Sequence, residues 1–186
     1  MMRKSCLPTW LLAAGALALI LVLCHREGTA APPAEAQKKT AVYEMYAGYK
    51  KEFPEVTNIT PAEVMDLLAR QKKVVLVDVR TPEEQRVSML PGAITREELL
   101  SNLDAYRDHI IIGYCTISYR SGKLAQDLRK KGIIMLNLRG GLLAWIHEGG
   151  KVFSQGGETR KVHVYGPRWD LAPAPYQTIK NRMTLW

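Results

Sequence analysis

The sequence predicts an α/β domain with a mainly parallel central sheet flanked by helices, preceded by an N-terminal hydrophobic segment. Three observations lead there. Two runs, Val74-Val75-Leu76-Val77 and Ile110-Ile111-Ile112, are continuously apolar and rich in β-branched residues, as strands covered on both faces are. Stretches with helical spacing and helix-capping signals alternate with these runs, the pattern of successive strand-helix units. Finally, 186 residues with 47% apolar and 24% charged content leave room for one domain of about 100–150 residues once the terminal segments are set aside. No internal repeat is visible.

Trp10 to Cys24 form an unbroken apolar run of 15 residues, with Arg3 and Lys4 before it and His25, Arg26 and Glu27 after it. That order reads as an export signal. Small residues follow in Gly28-Thr29-Ala30-Ala31, so a peptidase could cut after Ala30; uncleaved, Leu7 to Cys24 would form a tight anchor. Both outcomes send the rest of the chain across, because the basic residues near Met1 stay cytoplasmic. The expected location is therefore periplasmic or otherwise extracytoplasmic, with contact to the inner membrane through this segment if it is retained. Leu23 stands where a lipoprotein would need a small residue before Cys24.

Ala31 to Lys39, with Pro32 and Pro33, lacks apolar periodicity and reads as a linker. Val42, Tyr43, Met45, Tyr46 and Tyr49 recur at helical spacing before Pro54 and predict a leading helix. Val56 to Ile59 is the first expected strand. Thr60-Pro61-Ala62-Glu63 then opens a helix through Ala69, with an N-cap, a proline at the first helical position and a capping-box glutamate. The Val74 strand ends at Asp78. A loop containing Pro82 and Pro91-Gly92 leads to Ala93-Ile94, and Thr95 to Glu98 opens a helix to about Tyr106. The Ile110 strand ends at Cys115. Ser118 to Lys131 reads as a helix stopped by Gly132, with Leu124, Ala125 and Leu128 on one face. Ile133 to Leu138 is the next strand, and Gly140-Gly141 opens a last helix to about His147. The expected division is 1–30 signal or anchor, 31–41 linker, 42–55 leading helix, 56–155 domain and 156–186 C-terminal extension.

Cysteines occur at positions 6, 24 and 115. Loss of residues 1–30 leaves Cys115 alone, and a lone thiol in an exported protein is reactive or intermolecular. No metal and no cofactor is expected: His109, His147 and His163 have no partner at ligand spacing and read as surface or packing residues. The net charge of +8 falls to +6 without residues 1–30, a mild excess that reads as a solvated basic face.

In parallel sheets, sites gather where strands end and helices begin. Cys115 stands at such a junction, in Cys115-Thr116-Ile117-Ser118-Tyr119-Arg120-Ser121-Gly122. A short loop can curl its amides around the sulfur, the following helix adds positive potential at its start, and Arg120 adds a cation. All three favour thiolate over thiol. The competing reading is an inert buried thiol, since cysteine is among the most buried residue types.

At this point the chain resembles the rhodanese-like family. Four blocks carry the resemblance, over about Val56 to Val152: Val75-Leu76-Val77-Asp78-Val79-Arg80 with Pro82-Glu83-Glu84; Leu90-Pro91-Gly92-Ala93-Ile94; Tyr114-Cys115 with Arg120-Ser121; and Leu138-Arg139-Gly140-Gly141-Leu142-Leu143-Ala144-Trp145 with Gly149. The resemblance implies a three-layer rhodanese-like domain and a sulfurtransferase in which Cys115 is catalytic. Thr116, Ile117, Ser118, Tyr119, Arg120 and Ser121 would form the substrate loop. Asp78 and Arg80 would be an ion pair bracing that loop, and Glu83 could be the carboxylate that orients Arg120. The six-residue loop from Cys115 to Arg120 resembles sulfur-transferring members, whereas phosphatases and arsenate reductases of this fold use seven. Thr116 stands where members acting on thiosulfate often carry a basic residue, which points toward polysulfide or small persulfide donors. Ser88-Met89 replace a Gly-His usual before the second block.

The expected reaction is attack of the Cys115 thiolate on a small sulfane-sulfur donor, followed by attack of a thiol or cyanide acceptor on the outer sulfur. A second reading is a tethered or exported module that senses sulfur or docks a partner with little turnover, and a third is a thiol forming a mixed disulfide with a partner. The extension from Thr159 to Trp186 carries five basic residues and one acidic residue among its aromatics. It reads as an arm packed on the domain near the substrate mouth, with Val162 to Tyr165 extended, and not as a nucleic-acid site.

Overall fold

The computed structural model describes residues 34–180. The N-terminal apolar run and the export reading lie outside the described residues; within them, no helix is long and apolar enough to cross a membrane.

Helix α1 (Ala34–Lys50) begins ahead of Val42, so residues 34–39 are helix and the linker reading of them is corrected. Its first turns lack an apolar stripe, yet alanine, glutamate, glutamine and lysine are strong helix formers. Tertiary contacts hold this end: Lys38 Nζ donates to the Ala172 carbonyl at 3.0 Å, and the Ala174 amide donates to Glu35 at 3.1 Å.

Five parallel strands make the central sheet: β1 (Asn58–Ile59), β2 (Val74–Asp78), β3 (Ile94–Thr95), β4 (Ile110–Tyr114) and β5 (Met135–Leu138), in the order β1-β5-β4-β2-β3. Strand residues alternate between two cores, as a period of two requires. Leu76, Ile112, Tyr114 and Leu138 enter one core with Val64 of α2 (Pro61–Ala69), Val42 of α1 and the apolar residues of α6 (Gly141–His147). Val75, Val77, Ile111 and Met135 enter the other with Leu99 of α4 (Arg96–Ser101) and with Ala125 and Leu128 of α5 (Tyr119–Lys130). These two cores and the sheet between them form three layers.

The segment after β2 is not a loop. Thr81 caps α3 (Pro82–Val87): its hydroxyl accepts from the Glu84 amide, and the Glu84 carboxylate accepts from the Thr81 amide at 3.0 Å. Pro82 occupies the first helical position, where a missing amide hydrogen costs nothing, so it opens this helix. Beyond β3, α4 stops at Ser101, and a separate 3-10 turn, Leu103–Tyr106, completes the expected span.

After α6 the chain makes an antiparallel hairpin, β6 (Val152–Ser154) with β7 (Gly157–Thr159). A small parallel pair follows, β8 (Lys161–Val164) with β9 (Gln177–Lys180). Val162 and Val164 are fully buried in the same core as α6. Fully burying a valine is worth about 1.5–3 kcal/mol, so position 155 marks no break in packing. The extended segment expected at 162–165 is observed as β8.

Candidate active site

Cys115 follows β4 directly and precedes α5, at the end of the sheet where strands give way to helices. Helix α6 ties down the start of its loop. The amides of Leu142 and Leu143 donate to the Cys115 and Thr116 carbonyls at 2.9 and 3.2 Å. Gly141 permits this approach: its φ is +58°, and a Cβ there would meet the Cys115 carbonyl oxygen at 2.3 Å.

Ser118 turns the loop with a φ of +82°, a left-handed value uncommon outside glycine. Contacts from the end of β5 hold it there: the Ser118 hydroxyl donates to the Leu138 carbonyl, and the Asn137 side-chain amide donates to the Ser118 carbonyl at 3.2 Å. The Ser121 hydroxyl donates to Asn137 Oδ1 at 2.7 Å. Ser118 and Ser121, expected as substrate contacts, therefore use their buried side chains as internal braces, because buried hydroxyls must find partners and Leu138 and Asn137 supply them. Among the described residues, no carbonyl or side chain accepts from the backbone amides of Thr116 to Ser121. The loop thus keeps a run of amide donors uncommitted to the protein, and α5 adds its positive N-terminal potential behind them.

Arg120, in the first turn of α5, makes two short contacts to one carboxylate: Nη1 donates to Glu84 Oε2 at 2.6 Å and Nη2 to Glu84 Oε1 at 2.7 Å. The carboxylate is that of Glu84, which corrects the expectation of Glu83. The capping box explains the difference, since the third helical position of α3 turns Glu84 back into the protein. The second position leaves Glu83 exposed, paired with Arg86 at 3.1 Å. Burial alone would raise the Glu84 pKa; hydrogen bonds from Arg120 and the Thr81 amide, with the charges of Arg120 and Arg80, outweigh it and lower the value to about 2. Burial alone would likewise lower the Arg120 pKa, and Glu84 together with the nearby Cys115 sulfur reverses that to a net rise. Thr116 joins the cluster, with its hydroxyl 3.4 Å from Glu84 Oε1. His163, on β8, brings Nδ1 to 3.7 Å from the same oxygen.

Asp78 and Arg80 form the expected ion pair. Both side chains are 0% exposed, and Arg80 Nη2 lies 2.6 Å from Asp78 Oδ2. The Tyr114 hydroxyl donates to Asp78 at 2.7 Å and accepts from the Leu90 amide at 3.0 Å, while Arg80 also donates to the Ser88 carbonyl. Burial and the Asp78 charge push the Tyr114 hydroxyl well above its ordinary pKa, so it remains a neutral donor.

Cys115 is only 2% exposed, and it nevertheless lines a cavity of about 270 Å³. Thr116, Ile117, Tyr119 and Arg120 of the loop share the lining. Tyr49 of α1 adds a wall, its ring 5.1 Å from that of Tyr119. Tyr165 and Trp169, just beyond β8, add a second ring pair to the lining, edge to face at 5.3 Å. The thiol is thus screened from bulk water but open to this cavity.

Residues 60–148 match the rhodanese-like domain family. A sulfurtransferase of Allochromatium vinosum is 33% identical over 98 residues, half of this chain and 92% of that protein. The chain belongs to the rhodanese-like family. A tRNA sulfurtransferase of Desulfurococcus amylolyticus is 42% identical over 69 residues, 37% of this chain and 14% of that protein. The crystal structure of thiosulfate sulfurtransferase from Pseudomonas aeruginosa shares the fold, with a TM-score of 0.52 at 22% identity over 69% of this chain and 25% of that one. The three-layer rhodanese-like architecture expected from the sequence is the one observed, and relatives named as sulfurtransferases support a rhodanese-type enzyme. Tyr49, His163, Tyr165 and Trp169 lie outside the matched span. The extension carrying Tyr165 and Trp169, expected near the substrate mouth, does line the cavity, whereas the sequence does not point to Tyr49 or His163 as site residues.

Proposed function

We propose that this rhodanese-like domain moves sulfane sulfur through a persulfide on Cys115 to a thiol or cyanide acceptor. The observation that carries the reading is geometric: Cys115 and the Arg120 guanidinium, clamped by Glu84, line one cavity beside a loop whose backbone amides have no acceptor among the described residues. The Cys115 thiolate attacks the sulfane sulfur of a donor; a bond between the two sulfurs forms, and the donor residue leaves with the electron pair of the bond that breaks. The terminal persulfide sulfur is anionic, and the amides of Thr116 to Ser121 supply donors for it. An acceptor thiolate or cyanide then attacks that outer sulfur and Cys115 leaves as thiolate, so charge balances in both steps. Asp78, Arg80 and Tyr114 brace the loop without touching the sulfur. We further propose that the domain works outside the cytoplasm, delivered by its N-terminal segment and attached to the membrane if that segment is kept.

The test is mass spectrometry of the full chain after treatment with a panel of sulfane donors. A gain of one sulfur, about 32 Da, on Cys115 and its absence in Cys115→Ser is the expected result. No adduct with any donor would overturn the reading.

A further inference from the structure

The cavity over Cys115 has an unusual balance of charge and apolar surface for a site handling small anions. Arg120 is the one charged residue among its lining residues, and both of its terminal nitrogens are taken by Glu84. A divalent inorganic anion entering there would find the charge of that one cation offset by the Glu84 carboxylate, with only its remaining N–H donors to offer, and Thr116 supplies no second cation. Much of the remaining lining is aromatic, in two ring pairs, Tyr49 with Tyr119 and Tyr165 with Trp169. A volume of about 270 Å³ lies near the lower end of organic-ligand sites, about 300–1,000 Å³. It is far larger than the roughly 30 Å³ share of a water molecule, so a small anion would leave most of it unfilled.

We infer that this cavity selects a sulfane-sulfur donor with a flat apolar body, an aryl or similar organic thiosulfonate or persulfide, over an inorganic dianion, and that Tyr165 and Trp169 set that selectivity. Both residues stand beyond the family match, which covers 60–148. The inference rests on persulfide formation at Cys115. With an arylthiosulfonate, the Cys115 thiolate bonds to the sulfane sulfur, the bond between the two donor sulfurs breaks, and the arylsulfinate leaves with the electron pair. One anion is consumed and one released beside the persulfide. The rings hold the aryl group while its terminal sulfur reaches Cys115.

Three donors of matched chemistry separate the preference from the reaction: benzenethiosulfonate, methanethiosulfonate and thiosulfate, each titrated against the full chain with persulfide formation followed by kcat/KM. The wild type should favour the benzene compound over the methane compound by about tenfold, the size of one well-formed ring contact, with thiosulfate poorest. Tyr165→Ala and Trp169→Ala should each cut the benzene-to-methane ratio by about threefold to tenfold. Tyr165 is 65% exposed, so its removal leaves folding intact even if Trp169→Ala does not. Equal use of all three donors, thiosulfate outperforming the benzene compound, or a ratio unmoved in Tyr165→Ala would overturn the inference while leaving sulfur transfer standing. Absence of persulfide from every donor would remove both.

Discussion

Two arginine-carboxylate pairs stand behind the Cys115 loop, and they differ in what surrounds them. Asp78 and Arg80 are two residues apart in sequence, wholly buried, and tied to Tyr114 and Ser88. Glu84 and Arg120 are brought together from α3 and α5; the carboxylate is buried, but the Arg120 side chain keeps 33% exposure and faces the cavity. Desolvation is expensive for an ion pair unless every donor and acceptor is satisfied. The first pair meets most of that cost through Tyr114, Leu90 and Ser88, with Arg80 Nη1 left buried and unpartnered, and it shapes the protein from beneath the loop. The second leaves one end at the cavity, beside a sulfur, where its position has chemical consequences.

The comparison is open to attack by substitution. Asp78→Ala strands a buried guanidinium, and the expected loss is about 3–5 kcal/mol in denaturant unfolding, with the fraction that stays folded still forming the persulfide. Equal stability with abolished transfer would reverse the roles assigned to the two pairs. Glu84→Gln keeps a capping-box residue, since glutamine serves at that position, and removes the charge together with one of the two acceptor oxygens that face Arg120. About 1–3 kcal/mol should be lost near neutral pH, with persulfide formation roughly tenfold slower as Arg120 loses its anchor. Acid sharpens this second test. The Glu84 pKa is depressed on folding from an ordinary 4.5 to about 2, so its stabilisation is full above 4.5 and drains away as pH falls toward 2. Unfolding curves of wild type and Glu84→Gln should converge over that window and stay apart above it. The smallest effect is expected from Glu83→Gln, whose unfolding midpoint and sulfur transfer should match wild type, because Glu83 is a solvated partner of Arg86.

Glu83 and Glu84 also show where the sequence could be read and where it was misread. The buried strands, the Cys115 junction and the Asp78 pair were legible because each depends on neighbours in sequence: β-branched runs, a strand end, a carboxylate two residues from an arginine. The position of α3 is equally local, written in Thr81-Pro82-Glu83-Glu84 as a capping box, although Pro82 suits equally the loop expected there. With the helix comes the phase that turns Glu84, and not Glu83, inward. A different limit hides Tyr49, and the individual places of Tyr165 and Trp169 within an extension expected near the substrate mouth. Their meeting beside Cys115 is set by how α1 and β8 pack on the domain, and no local spacing encodes that. Ser118 and Ser121 fall between the two cases: their place in the loop was plain, but the Asn137 that claims them comes from another strand.

The order in which the site is spelled out along the chain gives it a timetable during synthesis. Tyr49, Cys115 and Arg120 leave the ribosome before Tyr165 and Trp169. A nascent chain halted shortly after α6 would hold the thiol with only the Tyr49 and Tyr119 part of its aromatic lining, and the other part joins when β8 and the turn after it are made.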